Sequence, residues 1–288
     1  MDPEPTAPAP QGAPAVPHPV VRIRGVEAVE LTDQLAVEEP LELRLGGMAF
    51  SVTMRTPGHD EDLVAGLLYS EGLIRGADNL DLIAHYRGTD RETDPGNVVN
   101  VLLKGDAQAA RERLRRSLVA SSACGVCGKV TIDSIRTTCP PVVSDVTVPA
   151  ELFHHLSASM ASAQATFERT GGLHAAGLFD AAGRLVVLRE DIGRHNAVDK
   201  VVGHMLRTGQ LPLDRQILMV SGRASFEIMQ KAWAARVPIV AAVSAPSSLA
   251  VEMAVAANIT LVGFMRRGAF NIYSRAQRVT GVSTPELV

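Results

Sequence analysis

The sequence predicts an α/β protein: a largely parallel sheet covered by helices on both faces in the C-terminal half, preceded by a smaller α+β part. Three observations lead there. "RQILMVSG", "VPIVAAVSA" and "ITLVGFMR" are near-continuous apolar runs, as expected of strands buried on both faces. Segments of helical spacing alternate with them, as strand–helix–strand units require. The apolar residues are mainly Ala, Val and Leu, with only 4% aromatics, so helices can lie close on a sheet.

The elements follow in order. Residues 1–19 alternate Pro and Ala and hold seven of the 17 prolines, which removes ladder donors and leaves no packable face. A disordered tail is expected there, with the fold starting near Val20. "LELRLGGMAFSVTMR" alternates apolar residues around Gly46 and Gly47, the pattern of a hairpin with a glycine turn. "TPGHDEDLVAGLLYSEGLI" predicts a helix capped by Thr56, with three acids in its opening turn and an end near Gly72. "NVVNVLLKG" reads as a strand and "DAQAARERLRRSLVA" as a helix. A Ser/Gly-rich loop with Cys124 and Cys127 comes next. A boundary near residue 140 divides the smaller part, 20–140, from the larger, 141–288. Beyond it, "AELFHHLSASMASAQATFERT" has helical spacing and "HAAGLFDAAGRLVVLRED" reads as a hairpin. The helices "IGRHNAVDKVVGHMLRTG", "RASFEIMQKAWAAR" and "SSLAVEMAVAAN" alternate with the apolar strands.

Composition excludes several classes. A formal charge of −3 supplies no global field for nucleic acid or anionic lipid, and the run Arg111–Arg116 reads as a solvated helix face. Three cysteines are too few and too unevenly spaced for a secreted disulfide framework, so a cytoplasmic protein is expected. The N-terminus has neither the basic nor the apolar region of a signal peptide, and no apolar run approaches the ~18 residues of a membrane span.

Chemistry-bearing residues gather in a few places. Ligands of open α/β sheets collect at the carboxyl ends of strands, which points to the loops 221–225, 244–248 and 264–269. Their Ser and Gly residues let backbone amides approach a ligand, and Arg223, Arg266 and Arg267 can fork onto phosphate. "EDIGRHNAVDK" concentrates charge at a strand-to-helix junction, where Arg194 and His195 can face an anion or tune a thiol. His174 enters an apolar strand; a deaminase would carry Glu two residues later, where Ala176 stands. Cys124 and Cys127 leave three chemistries open: a zinc clamp completed by Cys139 with His154 or His155, a dithiol couple, or a nucleophilic thiolate with Lys129 beside it. The local residues fit the thiolate best, with no resident metal.

Five segments in one order, "SSACGVCGK", "RTGGLHAAGL", "EDIGRHNAVDKVVG", "SGRASFEIMQKA" and "ITLVGFMRRGAFNIYS", resemble the formate dehydrogenase accessory sulfurtransferase family, FdhD. The resemblance runs from about Pro40 to the C-terminus. It implies a three-layer α/β/α, cytidine deaminase-like larger domain and a homodimer. It also implies a sulfurtransferase that accepts persulfide sulfur from a cysteine desulfurase. The sulfur passes to the bis-molybdopterin guanine dinucleotide form of the molybdenum cofactor, as formate dehydrogenase requires. By motif position the persulfide belongs on Cys124, with Cys127 as second thiol, and the cofactor-binding segment matches Phe264, Met265, Arg266, Arg267, Gly268 and Ala269. Arg223 and His195 are the nearest candidates for the dithiolene end. The alternative is a non-enzymatic cofactor carrier with structural or redox cysteines.

Overall fold

The computed structural model describes residues 12–86, 95–104, 139–266 and 268–281. The helix expected at 106–120 and the cysteine loop lie outside the described residues. β1 (Ala15–Arg24) and β2 (Glu27–Ala36) pair antiparallel as a separate two-stranded ribbon. Strand structure therefore reaches back at least to Ala15, five residues before Val20, which corrects the tail's expected boundary. Pro17 and Pro19 do not prevent pairing. Two positions apart, both present their missing donor to the same strand edge, the one turned away from β2.

Leu41, Leu43 and Leu45 alternate inward along β3 (Glu39–Leu45), which pairs antiparallel with β4 (Met48–Arg55) around Gly46 and Gly47, both at positive φ. α1 (Asp60–Ser70) packs Leu63, Val64 and Leu68 on this sheet, completed by β5 (Leu80–His85) and β6 (Val98–Leu103) in the order β4-β3-β6-β5. Thr56 is not the cap of α1. Its hydroxyl donates to Val37 O and accepts from Ile192 N, while left-handed His59 occupies the capping position.

The larger part contains β7 (Val148–Pro149), α2 (Leu152–Ala163), α3 (Ala165–Thr170), β8 (His174–Phe179), β9 (Leu185–Asp191), α4 (Arg194–Arg207), β10 (Ile217–Val220), α5 (Phe226–Ala234), β11 (Ile239–Ala242), α6 (Ser248–Ala257), β12 (Thr260–Arg266), β13 (Ala269–Ser274) and β14 (Val279–Thr280). Its main sheet runs β13-β12-β11-β10-β8-β9. Only β10–β11 and β11–β12 are parallel; the other three pairs are antiparallel, so the sheet is mixed rather than largely parallel. The short β8–β9 and β12–β13 connections leave no length for a crossover helix. One face packs Leu178, Leu218, Val240 and Leu261 under α4, α5 and α6; the other packs Met219, Ala241 and Val262 against Phe153, Leu156 and Met160 of α2. Helices thus cover both faces.

The two parts join through α1 and α4, where Gly66 and Gly203 bring the helix backbones together. A Cβ on Gly66 would lie 1.9 Å from Asp199 O. Beside this crossing, Asp199 accepts from Lys231 Nζ at 2.9 and 2.8 Å and from Ser70 Oγ at 3.0 Å.

Candidate functional site

β8 runs antiparallel to β10, so the start of β8 and the carboxyl ends of β10, β11 and β12 meet at one sheet edge. Backbone bonds tie their loops into a continuous rim. Ser221 N donates to Ala175 O, Ser244 N to Gly222 O, Ser247 N to Ala224 O and Phe264 N to Ser244 O. The Ser221 hydroxyl is committed as well, accepting from Ala175 N at 2.9 Å.

At one end of this rim, a register shift between Gly263 and Arg266 opens the β12–β13 turn. Phe264 there sits at φ 56 and is 43% exposed. A non-glycine residue held in that region stores about 1–3 kcal/mol, a strain that clusters at ligand sites. Met265 points into the core, Arg266 is exposed, and Gly268 takes φ 78. A cavity of about 220 Å³ is lined by Met265, Arg266, Gly268 and Ala269 against Phe153 and His154 of α2. It shares Ser157 and Met265 with a second cavity, of about 530 Å³, lined also by Gln164, His174 and Ser221.

At the other end, most of "EDIGRHNAVDK" builds structure. Asp191 pairs with Lys200 at 2.7 Å and accepts from Gly193 N and Asn196 Nδ2. Lys200 also donates to Thr56 O, and Glu190 accepts from the first amides of α3. Burial raises the Asp199 pKa against the opposing pull of Lys231. His195 Nε2 lies 2.5 Å from Glu227 Oε2 and 3.4 Å from Ser225 Oγ, which sets it beside the Arg223 loop. Burial, helped by the positive charge of Arg194 and His195, lowers the His174 pKa.

A family model described as the FdhD/NarQ family matches residues 36–280. The chain belongs to the FdhD/NarQ family. Sulfur carrier protein FdhD of Streptomyces avermitilis is 47% identical over 264 residues, covering 90% of this chain and 94% of that one. Its counterpart in Nocardia farcinica is 47% identical over 267 residues, covering 92% and 94%. A crystal structure from Desulfotalea psychrophila, provisionally described as a formate dehydrogenase accessory protein, superposes with a TM-score of 0.73. It covers 93% of this chain and 100% of its own at 23% identity, a likeness of fold.

Within this FdhD/NarQ fold, Phe264, Met265, Arg266, Gly268 and Ala269 come together at one turn, while Arg223 and His195 gather at the β10 end of the same rim. Neither Arg223 nor His195 lines either cavity. Cys124, Cys127 and Arg267 lie outside the described residues. Cys139 and His154 line different cavities, and among the described residues no three His, Cys, Asp or Glu side chains group as metal ligands. Sequence reasoning missed Gln164, which is 6% exposed and breaks the expected single helix into α2 and α3 with ψ 68. A signal existed. Phe153, Leu156 and Met160 form an apolar stripe whose next position, 164, holds a carboxamide.

Proposed function

We propose that the chain is a sulfurtransferase of the FdhD type, acting in the cytoplasm as a homodimer. The Cys124 thiolate attacks the outer sulfur of a cysteine persulfide on a desulfurase. The donor's S–S bond breaks, its cysteine leaves as thiolate, and Cys124 carries the persulfide. That sulfur then passes to bis-molybdopterin guanine dinucleotide, the bound substrate, for use by formate dehydrogenase: the Cys127 thiolate attacks the Cys124 sulfur, the S–S bond breaks, the outer sulfur leaves at the sulfide level for the cofactor, and the Cys124–Cys127 disulfide that remains is reduced by an external thiol.

The observation that carries this reading is the pair of neighbouring cavities at the strand edge beside residues 264–269, in a chain 47% identical to proteins named sulfur carriers. Arg266 and the backbone of Gly268 and Ala269 suit phosphate oxygens. Arg223 and His195 face the cofactor's dithiolene end in this reading. Ala176, standing where a deaminase needs its general acid/base, fits a deaminase-like scaffold used without hydrolysis.

The test incubates the purified protein with a cysteine desulfurase and cysteine, then examines the Cys124 peptide by mass spectrometry. One labile sulfur atom on Cys124 is expected, together with loss of client activation in Cys124→Ala. A Cys124→Ala protein that still activates formate dehydrogenase refutes transfer in favour of a carrier.

A further inference from the structure

Polar contacts tie the two parts together a second time, one turn before the glycine crossing of α1 and α4. Asp62, near the start of α1, is 5% exposed. Its Oδ2 accepts from Arg189 Nη2 at 3.0 Å and from Arg189 Nε at 3.3 Å, and its Oδ1 accepts from Arg207 Nη1 at 2.7 Å. Arg207 also pairs with Glu61. His204 Nδ1 lies 3.0 Å from Arg189 Nη2 and 3.4 Å from Asp62 Oδ2, and His59 Nδ1 lies 3.9 Å from the same oxygen. His59, Glu61 and Asp62 belong to the smaller part; Arg189 of β9 and His204 and Arg207 of α4 belong to the larger.

The short Arg189 contact fixes the state of His204. A guanidinium only donates, so the ring nitrogen facing it carries the lone pair, and the ring is neutral with its proton on Nε2. Two carboxylates then balance two guanidinium groups, and the nearby Lys200 is matched by Asp191. A proton on Nδ1 reverses the contact. Donor would face donor, and two positive charges would stand 3.0 Å apart. Asp62 Oδ2, at 3.4 Å, is the acceptor within reach, and Arg189 already occupies it with two nitrogens. His59 adds to the imbalance at lower pH, because partial burial and then the Arg189 charge hold its pKa below the ordinary histidine value.

We propose that this cluster is a proton-operated latch between the two parts. With His204 neutral, Arg189 bridges His204 and Asp62 and holds α1 against β9 and α4. With His204 protonated, its Nδ1–H takes Asp62 Oδ2, Arg189 is displaced and the joint loosens, so falling pH favours the open arrangement. The chain that carries Cys124 and Cys127 follows β6 of the smaller part. The latch therefore governs how firmly the root of that chain is held against the larger part, where the candidate site lies. It stands on contacts outside that site and does not depend on the sulfurtransferase reading.

Hydrogen–deuterium exchange of the full chain at about pH 7.5 and about pH 5.5, corrected for the intrinsic pH dependence of exchange, brackets the usual histidine range and tests the latch. Loss of one charge-assisted hydrogen bond across the joint should lower the protection of the α1 amides about tenfold at the lower pH. His204→Gln keeps an acceptor for Arg189 but takes no charge, and should hold protection within about twofold between the two conditions. Arg189→Met removes the displaced cation and should be open in both. Circular dichroism shows whether each variant folds, and either one suffices if the other does not. Equal loss of protection in the unmodified chain and in His204→Gln overturns the latch. So does an unmodified chain with no loss, or a pH response that survives Arg189→Met. Histidine ring NMR checks the starting state independently: a His204 proton found on Nδ1 near neutral pH also overturns the proposal.

Discussion

Gly203→Ala should loosen the whole molecule through one methyl group. The added Cβ would lie 1.8 Å from Asp62 O and 2.6 Å from Gly66 N, both backbone atoms that no rotamer change can move. Ordinary contact begins near 3.4 Å, so α1 and α4 must part by about 1.6 Å. Overpacking of this kind costs about 1–3 kcal/mol and occasionally more, while replacing a helical Gly by Ala returns about 1 kcal/mol. The displaced interface includes Leu206 of α4, which fills the N-terminal core, and the buried Asp199–Lys231 pair beside it. A net loss of about 1–2 kcal/mol follows, roughly a five- to thirtyfold fall in the ratio of folded to unfolded protein. Urea unfolding followed by circular dichroism reads this as a lower midpoint. A midpoint equal to or above that of the unmodified chain would refute the reasoning that backbone contact at Gly66 and Gly203 joins the two parts.

Further outcomes follow from the buried charges and the strained turn. Lys231→Met strands the Asp199 carboxylate and should cost about 3–5 kcal/mol, with recovery when Asp199→Asn is added; thermal melting of the single and double variants checks it. In Lys231→Met, burial holds the Asp199 pKa above its unfolded value with less opposition. The folded state therefore binds that proton more tightly, and the variant should regain stability as pH falls and lose it as pH rises through the folded pKa. The His174 ring should titrate below 6.5 in a proton NMR pH series, and Arg194→Met should move it upward. Because the folded pKa is depressed, His174 costs the native state stability as pH falls through the unfolded value. Phe264→Gly relieves a positive φ and should raise stability by about 1 kcal/mol while weakening guanosine diphosphate binding, measured by melting and titration.

The C-terminal elements were legible because their physics is local. β10, β11 and β12 are short runs whose residues are all or mostly buried, and such runs announce themselves. Their direction was not legible, since an apolar run reads the same whether its neighbour is parallel or antiparallel. β13 also escaped notice, because its inward residues Phe270 and Ile272 make only a short alternation directly after a bulge. The ribbon's first strand was hidden by composition: prolines normally argue against pairing, and only the register reveals that Pro17 and Pro19 turn the same way. Thr56 had the chemistry of a cap, but tertiary partners at Val37 and Ile192 claimed its hydroxyl.

The site divides along the same line. Phe264 to Ala269 is contiguous in sequence, so a motif can carry it. The cavity beside that turn draws on α2, the break before α3, β8 and β12, and no contiguous segment contains it. What sequence does offer is a local conflict. A stripe of Phe153, Leu156 and Met160 predicts an apolar residue at 164, and a carboxamide there weakens the packing it interrupts. The same residue ends one helix and begins another, with ψ 68, so the chain turns there and the side chain lines the cavity instead of continuing the apolar face. The local pattern marks the departure at position 164, and only the tertiary arrangement of α2, β8 and β12 shows what surface that departure serves.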